Sequence, residues 1–401
     1  MLNVADALSH RSGLTSQNAL WSQGGNGVYL RKADIMLSFA YMQRIKDFRT
    51  SFQYCNFAFW LADEIVTTKL TQTFGTFVAN RIFAPLKMTR SFIKATRPLP
   101  PNSETPYTAL KADEFVQIQL PVSEDGSATT AAGGVISSLK DLVTYYNAIL
   151  DARAAELAGK SDGQAVIKQA VSLTSGRVFM DPDQNLERTY ALGLARVQLP
   201  GTLGVIGLNP SLVAKMPTIG KNAHSKLVIY HQGSYPGYLS AVFMIPEDEI
   251  VIVVLTNSLP LNDAADWLGQ PVLEYVLDIP NKTDFVSLPQ ESVHNNLKAY
   301  AELDDFIASI KPRDPDHPLE AYAGDYFNPP GNFAIRVTEA DGKLQLHFQE
   351  AEWDAYLLTC IGEDLFTWVT DFENKVRRGR WPLSGTDYFE FRFEANAKGV
   401  V

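Results

Sequence analysis

Apolar positions recur at helical spacing in the first half of the chain and at strand spacing later. Phe57, Trp60, Leu61 and Ile65 follow three- and four-residue steps. Phe74, Phe77, Val78 and Ile82 repeat the pattern until Pro85 stops it. Leu139, Leu142, Tyr146 and Leu150 predict another helix with one apolar side, entered through Gly133-Gly134. Asn3 is placed to cap a short helix ending near Gly13. The period then shortens. Leu227 to Tyr230, Leu239 to Ile245 and Ile250 to Thr256 are β-branched or aromatic runs bounded by turn residues. They predict three strands of an antiparallel sheet, with a helix near Asp263 to Leu277 packed on it. Residues 1–285 therefore read as a mixed α/β (α+β) domain with a helical region and a sheet-plus-helix region.

Leu297, Tyr300, Ile307 and Ile310 mark a further helix. Lys311 to Pro318 then carries three prolines in eight residues, which predicts a stiff exposed linker, so 286–318 reads as helix plus Pro-rich linker. Beyond it the period is two. Leu344, Leu346 and Phe348 alternate with polar residues after an Asp341-Gly342 turn, and Phe389, Phe391 and Phe393 alternate likewise. Residues 319–401 read as a separate small β domain.

Composition narrows the partners. A chain of 401 residues with 46% apolar and 20% charged positions is a soluble globular protein of two or three domains. A net charge of -10 repels nucleic acid and anionic membranes, so neither is an expected partner. The basic cluster Lys375, Arg377, Arg378 and Arg380 reads as a solvated hairpin loop. Cys55 and Cys360 are too few and too far apart for a disulfide scaffold or a metal motif, and no two of the six histidines have zinc spacing. No metal or other cofactor is expected. The loop with Gly24, Gly25 and Gly27 lacks the Lys-Ser/Thr ending of a phosphate cradle. No basic stretch or apolar run opens the chain, and Ile250 to Leu255 is too short to cross a bilayer, so a cytoplasmic location is expected.

His231 ends an apolar strand and enters Gln232-Gly233-Ser234-Tyr235-Pro236-Gly237-Tyr238, a turn in which glycine lets backbone approach a ligand closely. Alone it reads as a structural histidine. Three other segments accompany it: Ala5-Asp6-Ala7-Leu8-Ser9-His10-Arg11-Ser12-Gly13-Leu14, Tyr54-Cys55-Asn56 before an apolar helix, and Gly133-Gly134-Val135-Ile136-Ser137-Ser138-Leu139. In this order, with Val254-Leu255-Thr256-Asn257 closing the fourth, they resemble the serine β-lactamase and D-Ala-D-Ala carboxypeptidase superfamily, in its class C-like branch of esterases, D-aminopeptidases and acyltransferases. The resemblance covers roughly Val4 to Leu277. It implies a transpeptidase-like fold, an antiparallel sheet flanked by helices with a helical subdomain. Tyr322-Ala323-Gly324-Asp325-Tyr326 resembles the start of a lipocalin-like β-barrel domain attached to some members.

The resemblance also implies roles. Tyr54 matches the general base or proton relay, and Asn56 the residue that holds a substrate amide. His231 and Gly233 match the third motif, and the Ser234 N–H one oxyanion donor. His10 matches a structural position. Cys55 stands where serine is common and reads as a small buried residue. The alternatives are plain: Tyr54 as a packed aromatic, and Asn56 as a helix cap. The family's nucleophile belongs to a Ser-x-x-Lys motif ahead of all these segments, and no such string precedes Tyr54. Ser91-Phe92-Ile93-Lys94 and Ser137-Ser138-Leu139-Lys140 fit the letters but follow Tyr54, and read as chance matches. Three explanations stand: a record beginning at an internal methionine, with the motif, a helix and strands lost; a relative that binds without catalysis; or a substitute nucleophile such as Ser234 or Cys55. The expected function is acyl transfer through an acyl-serine on a small ester, amide or lactam. The alternatives are a non-catalytic ligand-binding or scaffold protein, and an accessory protein in a metabolite pathway. The sequence sets no oligomeric state.

Overall fold

The computed structural model describes residues 2–16, 24–93, 99–160, 163–181, 186–349, 351–382 and 385–394. Two compact units emerge: Met1–Ser16 with Met42–Asn296, and Gln17–Tyr41 with Leu297–Val401. The division falls inside a helix, Ser287–Ser309.

In the first unit, helix Val4–Leu8 starts in a capping box: the Asn3 side chain accepts from the Asp6 N–H, and the Asp6 carboxylate accepts from the Asn3 N–H. It ends well before Gly13, because His10 takes a left-handed φ of 54°. Helix Phe57–Leu70 buries Phe57, Ala58 and Trp60, and stops where Thr71 turns left-handed. Helix Leu139–Leu157 is capped by the Ser138 hydroxyl. Its apolar face differs from the expected stripe. Ile149, Leu150 and Ala152, with Tyr145 and Tyr146, pack on Ile229, Val242 and Met244, whereas Leu139 is exposed.

Two short strands, β1 (Tyr107–Ala109) and β2 (Phe115–Gln117), form a small sheet with β9 (Ser258–Leu259). The main sheet is antiparallel and six-stranded, in the order β3 (Val178–Phe179), β4 (Arg188–Tyr190), β5 (Ala195–Gln198), β6 (Leu227–Tyr235), β7 (Tyr238–Ile245), β8 (Ile250–Thr256). The expected strand from Leu227 to Tyr230 thus continues to Tyr235. Helix Ala264–Val276 lies on the sheet through Gly269; a Cβ there would come within 2.3 Å of the Phe243 ring.

The second unit is a six-stranded antiparallel meander: β10 (Gly324–Phe327), β11 (Ala334–Ala340), β12 (Lys343–Phe348), β13 (Ala355–Gly362), β14 (Leu365–Thr367) and β15 (Glu390–Arg392). Asp341 and Gly342 close β11 on β12 with φ of 52° and 71°, the two positive values that a type I′ hairpin turn requires. Among the described residues β10 and β15 do not pair, so the sheet curls into a half-barrel around Leu346, Phe348, Tyr356, Phe366 and Trp368.

One expectation is extended here and another is corrected. The proline-rich 311–318 stretch is exposed but not free: the Arg313 N–H donates to the Cys360 carbonyl, and Asp316 accepts from the Asp364 N–H. The basic cluster is not a solvated loop. Lys375 and Arg380 are only 2% and 3% exposed. Arg380 pairs with buried Asp354 at 3.0 Å and lies against the rings of Phe348, Tyr356 and Trp368, which compensates the loss of water around its charge. Residues after the glycine loop belong to this unit as well. The Gly25 N–H donates to the Arg378 carbonyl, and the Tyr29 hydroxyl bonds Asp354. No helix among the described residues is long and apolar enough to cross a membrane.

Candidate active site

The site is built from loops of the first unit and from strands β4 and β6. Asp6, wholly buried, accepts hydrogen bonds from Arg11 at 2.7 Å and from Arg49 at 2.7 and 2.9 Å. It thereby ties the helix Val4–Leu8 to the His10–Gly13 loop and to the residues leading into Tyr54. The Arg49 pairing outweighs burial and holds the Asp6 carboxyl down at about 2. His10 completes the tie. Its backbone carbonyl accepts from the Gln53 N–H, and its Nδ1 accepts from the Cys55 N–H at 3.1 Å.

An accepting Nδ1 places the His10 proton on Nε2, and burial pushes its pKa down to about 3, so the ring is neutral. Its centroid lies 4.1 Å from that of Tyr54 and 5.0 Å from that of Tyr190. The Tyr54 and His231 rings, drawn from distant parts of the sequence, are 6.3 Å apart. Tyr190, on β4, reaches His231 directly: its hydroxyl is 3.1 Å from Nε2. The result is a compact group of Tyr54, His10, Tyr190 and His231, with Phe52 and Phe59 around His10.

His231 and Gly233 project from β6 on the side of helix Leu139–Leu157, since Ile229 two residues earlier packs there. Gln232 points the opposite way and donates to buried Asp266 at 2.9 Å, anchoring the strand from behind. The hairpin turns at Pro236-Gly237, with Gly237 at φ 88°, and closes with Tyr235 opposite Tyr238. A two-residue turn makes that closing pair hydrogen-bonded, so Tyr235, Gly233 and His231 address β7 while Gln232 and Ser234 turn their N–H groups to the other side. There β5 ends its pairing at Ala195 opposite Tyr230, so among the described residues the Ser234 N–H faces an open edge. Gly133 packs near the Tyr235 ring, where a Cβ would meet Cε2 at 3.1 Å.

Asn56 occupies the N-cap position of helix Phe57–Leu70, yet its side chain makes no capping hydrogen bond. The capping alternative does not account for it. Cys55 is buried, its thiol pushed up to about 11 by burial, and its Sγ faces the Thr15 carbonyl. It is no thiolate nucleophile. Ser91 and Ser137 bond each other at 2.7 Å, and Ser91 donates to Asp141 at 2.8 Å, while Lys140 is exposed. These hydroxyls fasten the segment before helix Leu139–Leu157; Lys94 lies outside the described residues.

Charge is what the group lacks. Burial is the largest influence on Tyr54 and pushes the phenol up to about 12. Burial pushes His231 down to about 4, against a backbone hydrogen bond with Gln232. At neutral pH His231 supplies no cation to Tyr54, and both are uncharged. The one residue of the group that no motif marks is Tyr190. Its partner is 41 residues away, and only the fold brings them together.

Comparison with known proteins bears on the family and the fold. A beta-lactamase family model matches residues 2–272, and a domain of unknown function, DUF3471, matches 308–401. A protein of Aspergillus campestris named unguisins hydrolase is 21% identical over 338 residues, covering 82% of this chain and 57% of its own length. This chain therefore spans little more than half of that relative. Among solved structures, the octameric penicillin-binding protein homologue from Pyrococcus abyssi superposes with a TM-score of 0.51 at 16% identity, covering 90% of this chain and 70% of that one. A D-stereospecific amidohydrolase from Streptomyces sp. gives a TM-score of 0.44 at 19% identity, covering 70% of this chain and 73% of that one. The family match takes in Tyr54, His10, Tyr190 and His231 together, on a fold shared with a penicillin-binding protein homologue, and the chain belongs to the beta-lactamase family.

Proposed function

We propose that the first unit is built for acyl transfer through an acyl-serine, on a small ester, amide or lactam. In that chemistry Tyr54 is the base, Asn56 and His231 hold the substrate and the network, and the Ser234 N–H, beside Gly233, meets the oxyanion. The observation that carries the reading is the meeting of the Tyr54 and His231 rings at 6.3 Å, next to an open strand edge. The relative named as a hydrolase supports hydrolysis, with water as acceptor. A second reading, reversible binding without turnover, draws on a separate observation: Tyr54 and His231 are both held neutral, so neither stands ready as a charged base or a cation.

For these 401 residues the two readings combine into one expectation, binding without acylation. A fluorescent penicillin should bind reversibly by anisotropy and leave no adduct by intact mass, and a fluorophosphonate should label nothing. An adduct on Ser91, Ser137, Ser234 or Cys55 would overturn the claim about the nucleophile. Binding that is absent, or that survives His231→Ala and Tyr54→Phe unchanged, would overturn the site.

A further inference from the structure

Tyr190 is fully buried, its ring 5.1 Å from that of Phe52 and edge-on to His231. A phenol so placed keeps its proton, and burial pushes its pKa well above the ordinary value. Among the described residues its hydroxyl has one hydrogen-bond partner, His231 Nε2 at 3.1 Å. Were Nε2 protonated, it would donate to the phenolic oxygen and the buried O–H would be left without an acceptor. The hydroxyl must therefore donate and Nε2 accept. That leaves the imidazole proton on Nδ1.

We propose that Tyr190 is a positioning residue for His231, its hydroxyl fixing the imidazole in the Nδ1–H tautomer and in one orientation beside Tyr54. Nε2 is then occupied by the Tyr190 hydroxyl. His231 acts as a neutral spacer that aligns the Tyr54 ring with the β6 edge, and it neither takes a proton from substrate nor carries charge. The titratable groups packed about it are Tyr54, Tyr190 and, within electrostatic reach, His10. The proposal rests on reading His231 as part of the acyl-binding site, but its test needs no turnover.

In the full chain labelled with ¹⁵N-histidine, long-range ¹H–¹⁵N NMR reports the tautomer of His231. The wild type should show an unprotonated, hydrogen-bonded Nε2. Tyr190→Phe keeps the ring and its packing, and should shift the tautomer ratio toward Nε2–H about five- to tenfold, the worth of one ordinary hydrogen bond. Tyr54→Phe should leave the ratio unchanged. A protonated Nε2 in the wild type, or an unaltered ratio in Tyr190→Phe, overturns the proposal. Should that variant not fold, coupling between the Tyr190 hydroxyl proton and Nε2 in the wild type decides, and its absence refutes the assignment. Failure of penicillin binding with the tautomer as expected would count against the acyl-site reading alone.

Discussion

Asp6→Asn tests whether one buried carboxylate holds the Tyr54 loop in place. Asp6 is 0% exposed and binds Arg11, Arg49 and the Asn3 N–H. Arg49 in turn takes a left-handed φ of 67° and donates its N–H to the Arg11 carbonyl, so the carboxylate fastens the loop together with the His10 hydrogen bonds to Gln53 and Cys55. Lowering its pKa from 3.8 to about 2 corresponds to about 2.5 kcal/mol. The Arg49 side chain is 46% exposed, so solvent screening reduces this to about 1–2 kcal/mol. The asparagine variant should therefore exchange the backbone amides of residues 49–56 roughly 5- to 30-fold faster at pH 7, in hydrogen-exchange mass spectrometry. The sign follows from a depressed folded pKa: the stabilisation is complete above about pH 4 and is lost as pH falls toward 2. Urea midpoints of wild type and variant should differ at pH 7 and converge on acidification. Equal exchange at pH 7, or a midpoint difference undiminished at pH 2.5, would refute the reasoning.

Three further outcomes are expected. Asp263 is pushed up to about 7 by burial and by neighbouring Asp266, so its folded pKa exceeds the unfolded one; stability should fall as pH rises from about 4 through 7. Asp263→Asn keeps the N-cap acceptor and should flatten that decline in thermal melts from pH 5 to 8, whereas parallel curves would count against it. Arg380→Met leaves Asp354 buried without its main cation and should cost about 3–5 kcal/mol, partly recovered in the double variant with Asp354→Asn. Melts in which the single and double variants coincide would dismiss this coupling. Gly237→Ala must hold φ 88° and bring a Cβ within 2.3 Å of Pro106, so it should lower the melting temperature and weaken penicillin binding together. A variant as stable as wild type would show that the turn tolerates a side chain.

The legible parts of this fold are those whose signal is local. The β-branched runs of β6, β7 and β8 sit on a period of two, and Asp341-Gly342 carries its turn type in its own residues. The Tyr54, Asn56 and His231 segments could be read because each has a fixed local motif. What escaped depends on distant partners. The basic 375–380 stretch is soluble by composition, and only Asp354 and three rings make burial of Arg380 affordable. Tyr190 sits in an unremarkable strand, Arg188-Thr189-Tyr190, and acquires its role from His231. Nothing in residues 24–41 announces that they belong with the C-terminal sheet, because Tyr29 is tied there by Asp354, far along the chain.

The neutrality of the site sets a quantitative condition on any catalysis by this fold. Tyr54 stands near 12, with burial as the main cause and no lysine or arginine among the influences on it. A base useful near pH 7 requires a drop of about five units, or about 7 kcal/mol. A unit charge at 4 Å contributes about 4 kcal/mol at an effective dielectric of 20. About two cations at contact distance are therefore needed, and His231, held neutral, provides neither. Whatever group supplies the nucleophile must also bring positive charge against the Tyr54 hydroxyl. Titration of the Tyr54 phenol in these 401 residues, followed by the ¹³Cζ shift of labelled tyrosine, should show no ionisation below about pH 10. Ionisation between pH 7 and 9 would mean that a cation already reaches the ring, and the site could then act as a base unaided.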